Sequence, residues 1–318
     1  MRDRVVQTAL RAVLEPIFER EFAAQSYGFR PKRSCKDALA RVQELLTQGC
    51  RWVVDADLKS YFDTIPHEAL MARVRERVAD GRVLELIEAF LKAHIMDGLN
   101  HWEPEAGSPQ GAVISPLMSN IYLNPLDHCM AQAGFQMVRY ADDFVILCRS
   151  KEEAERALAE VRQWTAQAGL QLHPLKTRIV DTTPREHGLG EGFDFLGFHF
   201  CGEHKWPRKK SQAKLKDTVR QHTPRCNGQS LQAIITGLNP VLRGWFNYFR
   251  ASAKTPLMRL DGWVRLRLRS ILRRRHKHHG PGRGWSNIQW PNAYFRELGL
   301  FSLREAQQKY YQSLRGTH

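Results

Sequence analysis

The sequence predicts an α+β protein whose first two thirds build a β-α-β-β-α-β sheet and whose last third is helical and basic. Three observations carry this prediction. From residue 51 onward, the pattern reads strand, helices, strand, turn, strand, helix, strand. Residues that start and stop helices bracket the segments between the strands. Charge then divides the chain, with a net −4 over residues 1–200 and +19 over residues 201–318.

In chain order, residues 3–22 form an amphipathic helix, expected to pack through Val6, Leu10, Val13, Leu14 and Ile17. Ser34 and Asp37 make a capping-box pattern that opens a helix to about Gln48, with Gly49 just past its end. A strand covers 51–58, and amphipathic helices cover 66–79 and 82–95 on either side of Gly81. Ser115-Pro116 offers an N-cap and a first-turn proline for a helix that stops at Gly134. Strands at 135–140 and 144–149 flank a turn, and Ser150 with Glu153 caps a helix stopped by Gly169. Segments 170–172 and 178–181 supply the last sheet strand, and the alternating aromatic run 193–200 reads as one more. A right-handed crossover makes the first two strands parallel, with the third antiparallel between them. Asp57, at the end of the first strand, then lies beside Asp142 and Asp143 at the turn.

Composition narrows the function classes. With 318 residues and 42% hydrophobic content the chain can bury a full core, and no apolar run approaches the roughly 20 residues of a membrane span. The N-terminus lacks the pattern of a secretory signal, and the six cysteines form no C-x-x-C pair. A cytosolic chain with reduced thiols is expected, with neither a disulfide framework nor a zinc site. The basic last third suits a polyanion, nucleic acid before an anionic membrane, because its Lys and Arg alternate with core-type Trp, Phe and Tyr.

The chemistry concentrates at Tyr140-Ala141-Asp142-Asp143, two adjacent acids between apolar strands. Such carboxylates sit either in an exposed turn or beside a cation. With Asp57 converging on them, an acidic surface patch and a divalent-metal site are the two readings, and hard oxygen donors suit Mg²⁺ shared with substrate phosphates. Phe62, five residues past Asp57, serves either as core or as the floor of a sugar pocket. Gly107-Ser108-Pro109-Gln110-Gly111 is a loop suited to close backbone approach. Arg30-Pro31-Lys32-Arg33 precedes a helix N-terminus, a place for phosphate or an ordinary solvated loop.

Taken together, these segments resemble the reverse transcriptases encoded by bacterial group II introns. The resemblance runs in order through Ser26-Tyr27-Gly28-Phe29-Arg30-Pro31, then residues 55–67 from Asp55 to His67, then Gly107 to Gly111 with Ser115-Pro116-Leu117 and Asn120-Ile121-Tyr122-Leu123. It continues through Tyr140-Ala141-Asp142-Asp143, Gly169-Leu170-Gln171-Leu172 with Lys176-Thr177, and Phe195-Leu196-Gly197-Phe198. In the basic part, Gly237-Leu238-Asn239-Pro240 and Arg243-Gly244-Trp245-Phe246-Asn247-Tyr248-Phe249 resemble the family's thumb and maturase domain.

The resemblance implies a right-hand polymerase palm over 51–205, residual fingers over 1–50 and a helical thumb/maturase domain over 206–318. It implies RNA-directed DNA polymerisation, with binding of intron RNA to assist splicing and mobility. Asp57, Asp142 and Asp143 would be catalytic and hold two Mg²⁺ ions. Phe62 would gate the sugar, Gln110 would contact the incoming dNTP, and Lys176 and Arg30 would support substrate binding. The implied partners are RNA template, intron RNA, a DNA primer or target and dNTPs, in a bacterial cytoplasm with no membrane. Two departures stand out. The chain begins at the tail of the first family block, so an N-terminally shortened fingers region is expected, and a non-catalytic RNA-binding maturase or decayed fragment is the alternative. Ala112 stands where the family often has another Gly. His276-Lys277-His278-His279, beside Arg273-Arg274-Arg275, is read as a basic loop and not a metal site.

Overall fold

A computed structural model of the chain describes residues 2–92, 95–97, 100–102, 106–107, 112–183, 191–225, 228–277 and 284–315. The chain forms two compact units, Met1–Leu196 with Cys201–Glu203, and Gly197–Phe200 with His204–His318.

The first unit begins with α1 (Arg2–Glu19) and α2 (Cys35–Thr47), followed by β1 (Trp52–Asp57). Helices α3 (Tyr61–Thr64), α4 (His67–Arg75) and α5 (Gly81–Leu91) lead to the hairpin strands β2 (Ile95–Asp97) and β3 (Asn100–Trp102). Then come α6 (Ser115–Gln132), β4 (Gln136–Tyr140), β5 (Asp143–Cys148), α7 (Lys151–Gln167), β6 (Arg178–Asp181) and β7 (Phe193–Phe195). The main sheet has the order β4-β5-β1-β6, every neighbouring pair being antiparallel. β1 and β4 therefore run parallel with β5 between them, as the crossover argument requires. Asp57 pairs directly with Asp143. Val54, Ala56, Phe144 and Ile146 join Leu117, Ile121, Leu126, Ala157 and Val161 of the helices in one buried core. Local chemistry agrees with this packing. The Asp37 carboxylate accepts the Ser34 backbone N–H at 2.8 Å, and Ser150 Oγ accepts the Glu153 N–H at 3.2 Å.

Several expectations need correction. α1 buries Gln7, Leu10, Leu14 and Phe18, while Val13 is 63% exposed and Val6 and Ile17 are also exposed. The buried stripe is rotated by about one residue because Phe18 enters the core and the Gln7 carboxamide accepts the Val113 N–H at 2.8 Å. Ser115 is the first helical residue of α6, with Ile114 at the cap. α4 and α5 are shorter than expected, and Ile95–Asp97 belongs to a strand pair with Asn100–Trp102 where the sequence reading continued a helix to about residue 95. Segment 170–172 contributes one isolated bridge, Leu172 to Leu58, because the chain turns directly after it, with the Lys176 and Thr177 N–H groups donating to the His173 carbonyl. The aromatic run 193–200 is two strands, because Leu196 and Gly197 both take positive φ (46° and 81°), the conformation of a tight hairpin turn.

The second strand of that hairpin, β8 (Phe198–Cys201), is followed by β9 (His204–Pro207) in a three-stranded sheet of order β7-β8-β9. The helices of the second unit are α8 (Lys209–His222), α9 (Leu231–Phe249), α10 (Lys254–Arg275), α11 (Trp285–Gln289), α12 (Asn292–Glu297) and α13 (Leu303–Arg315). Leu215, Ile235, Leu238, Leu242, Phe246, Leu257, Leu260, Val264 and Leu268 form their common core. Most of the aromatic residues singled out in the sequence are core or core-packed, as expected. Their charged neighbours lie over rings, with Lys216 and Arg220 on Trp263 and Arg243 on Phe301. The basic run at 273–275 completes α10, whereas His278 and His279 lie outside the described residues. Among the described residues, no helix is long and apolar enough to cross a membrane.

Candidate active site

Tyr140 pairs with Asp143, so Ala141 and Asp142 are the two loop residues of the β4–β5 hairpin. Ala141 takes φ 59°, the positive value that primed hairpin turns need at their first loop position. An alanine there is strained by of order 1 kcal/mol or more, and the surroundings must hold it. They do so from two sides. Gly28 lies so close that a Cβ added to it would run into the Ala141 nitrogen and come within 3.0 Å of the Tyr140 carbonyl carbon. On the other side, Arg139 is fully buried and donates to the Ala141 carbonyl at 2.8 Å. Its remaining donors reach Asp127, Asn120 and Ser26.

The hairpin delivers Asp142 and Asp143 to the end of β1, where Asp57 is opposite Asp143 in register. Lys176 Nζ lies 2.5 Å from Asp57 Oδ2, its own side chain 62% exposed. Segment 171–173 clamps the same strand end, through Lys59 N–H to the Gln171 carbonyl (2.8 Å) and His173 N–H to the Asp57 carbonyl (2.7 Å). Four residues expected at one place are thus brought together: Asp57, Asp142, Asp143 and Lys176.

The others divide. Phe62 is half-buried, packs against the core and meets Tyr61 edge-on at 5.4 Å. The start of the 107–111 loop is pinned beside it. Gly107 takes φ 97°, its N–H donates to the Ile65 carbonyl at 2.8 Å, and a Cβ on it would come within 2.9 Å of the Phe62 oxygen. His67 Nε2 contacts the Gly107 oxygen at 2.5 Å. Gln110 lies outside the described residues. Arg30 is placed differently from the sequence expectation. It is buried, paired with Glu19 at 2.8 Å, and donates to the carbonyls of Phe22, Ala23 and Ser26. Its guanidinium fastens the segment after α1 internally, which leaves no free fork for a phosphate.

The electrostatics fit a cation. Burial, with Asp55, Asp142 and Asp57 adding to it, pushes Asp143 up to about 7 against a hydrogen bond from the Leu196 backbone. Burial also raises Asp142, with Asp57 adding to the shift, while Arg139 and Lys176 oppose it. Asp55, two residues before Asp57, is pushed up to about 6 by burial despite Arg178 at 3.4 Å. Negative charge therefore exceeds the positive charge that the protein supplies. Among the described residues, no group of three or more His, Cys, Asp or Glu side chains closes into a ready-made cation cage. An open set of hard oxygens suits Mg²⁺, which keeps several ligands from water or substrate.

Sequence reasoning missed Arg139, Asp127 and Asp55. The available signal was a charged residue inside an apolar strand, Met137-Val138-Arg139-Tyr140, and an acid in the apolar helix α6. A buried charge demands a partner, and each of the two is the other's.

Residues 1–200 match the family described as Reverse transcriptase (RNA-dependent DNA polymerase), and residues 212–289 match Group II intron, maturase-specific domain. Protein YkfC of Escherichia coli is 35% identical over 279 residues, which cover 74% of this chain and 69% of that protein. Group II intron-encoded protein LtrA of Lactococcus lactis is 39% identical over 137 residues, covering 43% of this chain and 23% of that protein. An uncharacterized 91 kDa protein in the cob intron of Schizosaccharomyces pombe is 30% identical over 240 residues, which span only 30% of its length. Apo telomerase from Candida tropicalis shares the fold, at TM-score 0.50 and 11% identity, over 86% of this chain and 55% of that one. With more than half of its length in the first match and residues 212–289 in the second, the chain belongs to the reverse transcriptase family and carries a group II intron maturase-specific domain.

Proposed function

We propose that this chain is an RNA-directed DNA polymerase of a group II intron that also binds intron RNA to assist splicing and mobility. The observation that carries the reading is the register of β1 and β5, with Asp57 opposite Asp143 and Asp142 in the adjoining turn. Residues 1–50 act as fingers, 51–205 as palm and 206–318 as thumb and maturase domain.

Asp57, Asp142 and Asp143 would hold two Mg²⁺ ions, which when bound lower the pKa of a primer 3′-hydroxyl and neutralise charge on the leaving pyrophosphate. The protein's own groups position the reactants. Phe62, beside the pinned Gly107, limits the space for a 2′-hydroxyl, and Gln110 contacts the incoming dNTP. Lys176 restrains the Asp57 carboxylate and supplies positive charge beside the triphosphate. The basic helices α8 and α10 take the phosphate backbone of RNA, a mode of binding that weakens steeply with salt and reads little sequence.

The test is primer extension on an RNA template with Mg²⁺ and dNTPs, comparing the chain with Asp142→Ala. Extension lost by at least 100-fold in the variant supports the reading. A chain that binds RNA but extends no primer overturns the polymerase and leaves an RNA-binding maturase.

A further inference from the structure

We propose that Arg139 is a positioning residue, one that holds the Ala141–Asp142 turn in its metal-binding shape through a fully saturated guanidinium. The proposal deepens the polymerase reading and rests on it for the identity of the site. Arg139 is 0% exposed. Its Nε donates to Asp127 Oδ1 at 2.7 Å, and Nη2 donates to Asp127 Oδ2 at 2.5 Å and to Ser26 Oγ at 2.8 Å. Nη1 donates to Asn120 Oδ1 at 3.0 Å and to the Ala141 carbonyl at 2.8 Å. A guanidinium has five N–H donors, and these are five bonds.

The five bonds reach three separate pieces of chain. Asp127 and Asn120 belong to α6, Ser26 to the segment before α2, and Ala141 to the hairpin turn. The same segment is clamped a second time. Arg139 N–H donates to the Gln25 carbonyl at 2.9 Å, Tyr27 N–H donates to the Arg139 carbonyl at 2.8 Å, and Asn120 Nδ2 donates to the Gly28 carbonyl at 2.8 Å. Gly28 in turn lies so close that a Cβ added to it would run into the Ala141 nitrogen. The strained residue therefore has no spare room at its nitrogen and a hydrogen bond at its oxygen, and the oxygen contact depends on Arg139.

Fold maintenance and turn positioning separate at this residue. Pairing with Asp127 keeps α6 on β4, and a lysine ammonium can keep that pairing as a point charge. It cannot also present a rigid fork to Ala141, so Arg139→Lys keeps the ion pair and releases the turn.

The experiment uses the full chain, Arg139→Lys and, as a milder variant, Ser26→Ala, with Asp142→Ala as the blank. Mn²⁺ binding is followed directly by electron paramagnetic resonance, beside amide hydrogen exchange over 140–144 in the metal-free protein and primer-extension kinetics. Arg139→Lys is expected to weaken Mn²⁺ binding at least tenfold. Exchange over 140–144 should rise at least tenfold above that of β1, and kcat should fall at least tenfold with the dNTP KM within twofold. Ser26→Ala should shift Mn²⁺ binding and exchange in the same direction by a few fold. If Arg139→Lys melts earlier but binds Mn²⁺ as the parent does, or if it fails to fold while Ser26→Ala leaves binding and exchange unchanged, the positioning role is overturned. A parent chain that binds Mn²⁺ but extends no primer overturns the polymerase reading alone. A parent that binds no Mn²⁺ overturns both.

Discussion

Replacing Asp143 by asparagine should make the metal-free protein more stable at neutral pH, although it removes a residue placed at the heart of the site. Burial beside Asp55, Asp142 and Asp57 raises the Asp143 carboxyl from 3.8 to about 7. A carboxyl whose folded pKa exceeds its unfolded value stabilises the fold while protonated, and that contribution is lost as pH rises from about 4 through 7. Asparagine is close in shape, keeps an oxygen for the Leu196 amide and carries no charge to desolvate. A shift of about three units, at 1.36 kcal/mol per unit, sets a ceiling of about 4 kcal/mol for Asp143→Asn at pH 8. At pH 4 the gain falls to about 1 kcal/mol or less, because the parent carboxyl is then largely protonated. Titration shared with Asp55 and Asp142 brings the expected gain at pH 8 to about 2–4 kcal/mol. Urea unfolding in the presence of chelator, followed by hydrogen exchange at β1 and β5 amides, reads the first unit alone. Mg²⁺ should then stabilise the parent more than the variant, since it binds only the folded carboxylates. A difference that stays flat between pH 4 and 8, or a variant less stable than the parent at pH 8, refutes the electrostatic account.

Three further substitutions probe the packing of the first unit. Gly28→Ala puts a methyl group into the Ala141 nitrogen, and about 1–3 kcal/mol of destabilisation is expected in thermal melts, with divalent-metal binding weakened in parallel. On α1, Leu14→Ala should cost about 2–5 kcal/mol, whereas Val13→Ser should stay within about 0.5 kcal/mol. Equal effects at the two positions would show that the buried face of α1 is wrongly assigned.

The extent to which the sequence revealed this protein follows the range of each interaction. Caps and periodicity are local, so Ser34 with Asp37 and Ser150 with Glu153 marked real helix starts. The period-2 pattern with its turn located β4 and β5, and the handedness of crossovers was enough to bring Asp57 to Asp143. Where two local signals overlapped, the reading failed. In the run 193–200 alternation hid a turn, because Leu196 carries no chemical mark of positive φ. The face of α1 was off by a residue because neighbouring stripes on that helix are nearly equally apolar, and only the partner surface chooses between them.

Charge was legible as a total and not as a destination. The division between −4 and +19 is a property of the sequence, and so is the adjacency of Asp142 and Asp143. The sequence could not say that Arg30 would turn inward onto Glu19, or that Arg139 and Asp127 would meet unexposed. Nor could it say that Ala141, not an aspartate, would carry the strained backbone of the turn. Those outcomes depend on which groups lose their water and which partners lie within about 3 Å once they have lost it. Partners 12 or 113 residues apart, as Asp127 and Ser26 are from Arg139, are chosen only when the tertiary fold closes over them.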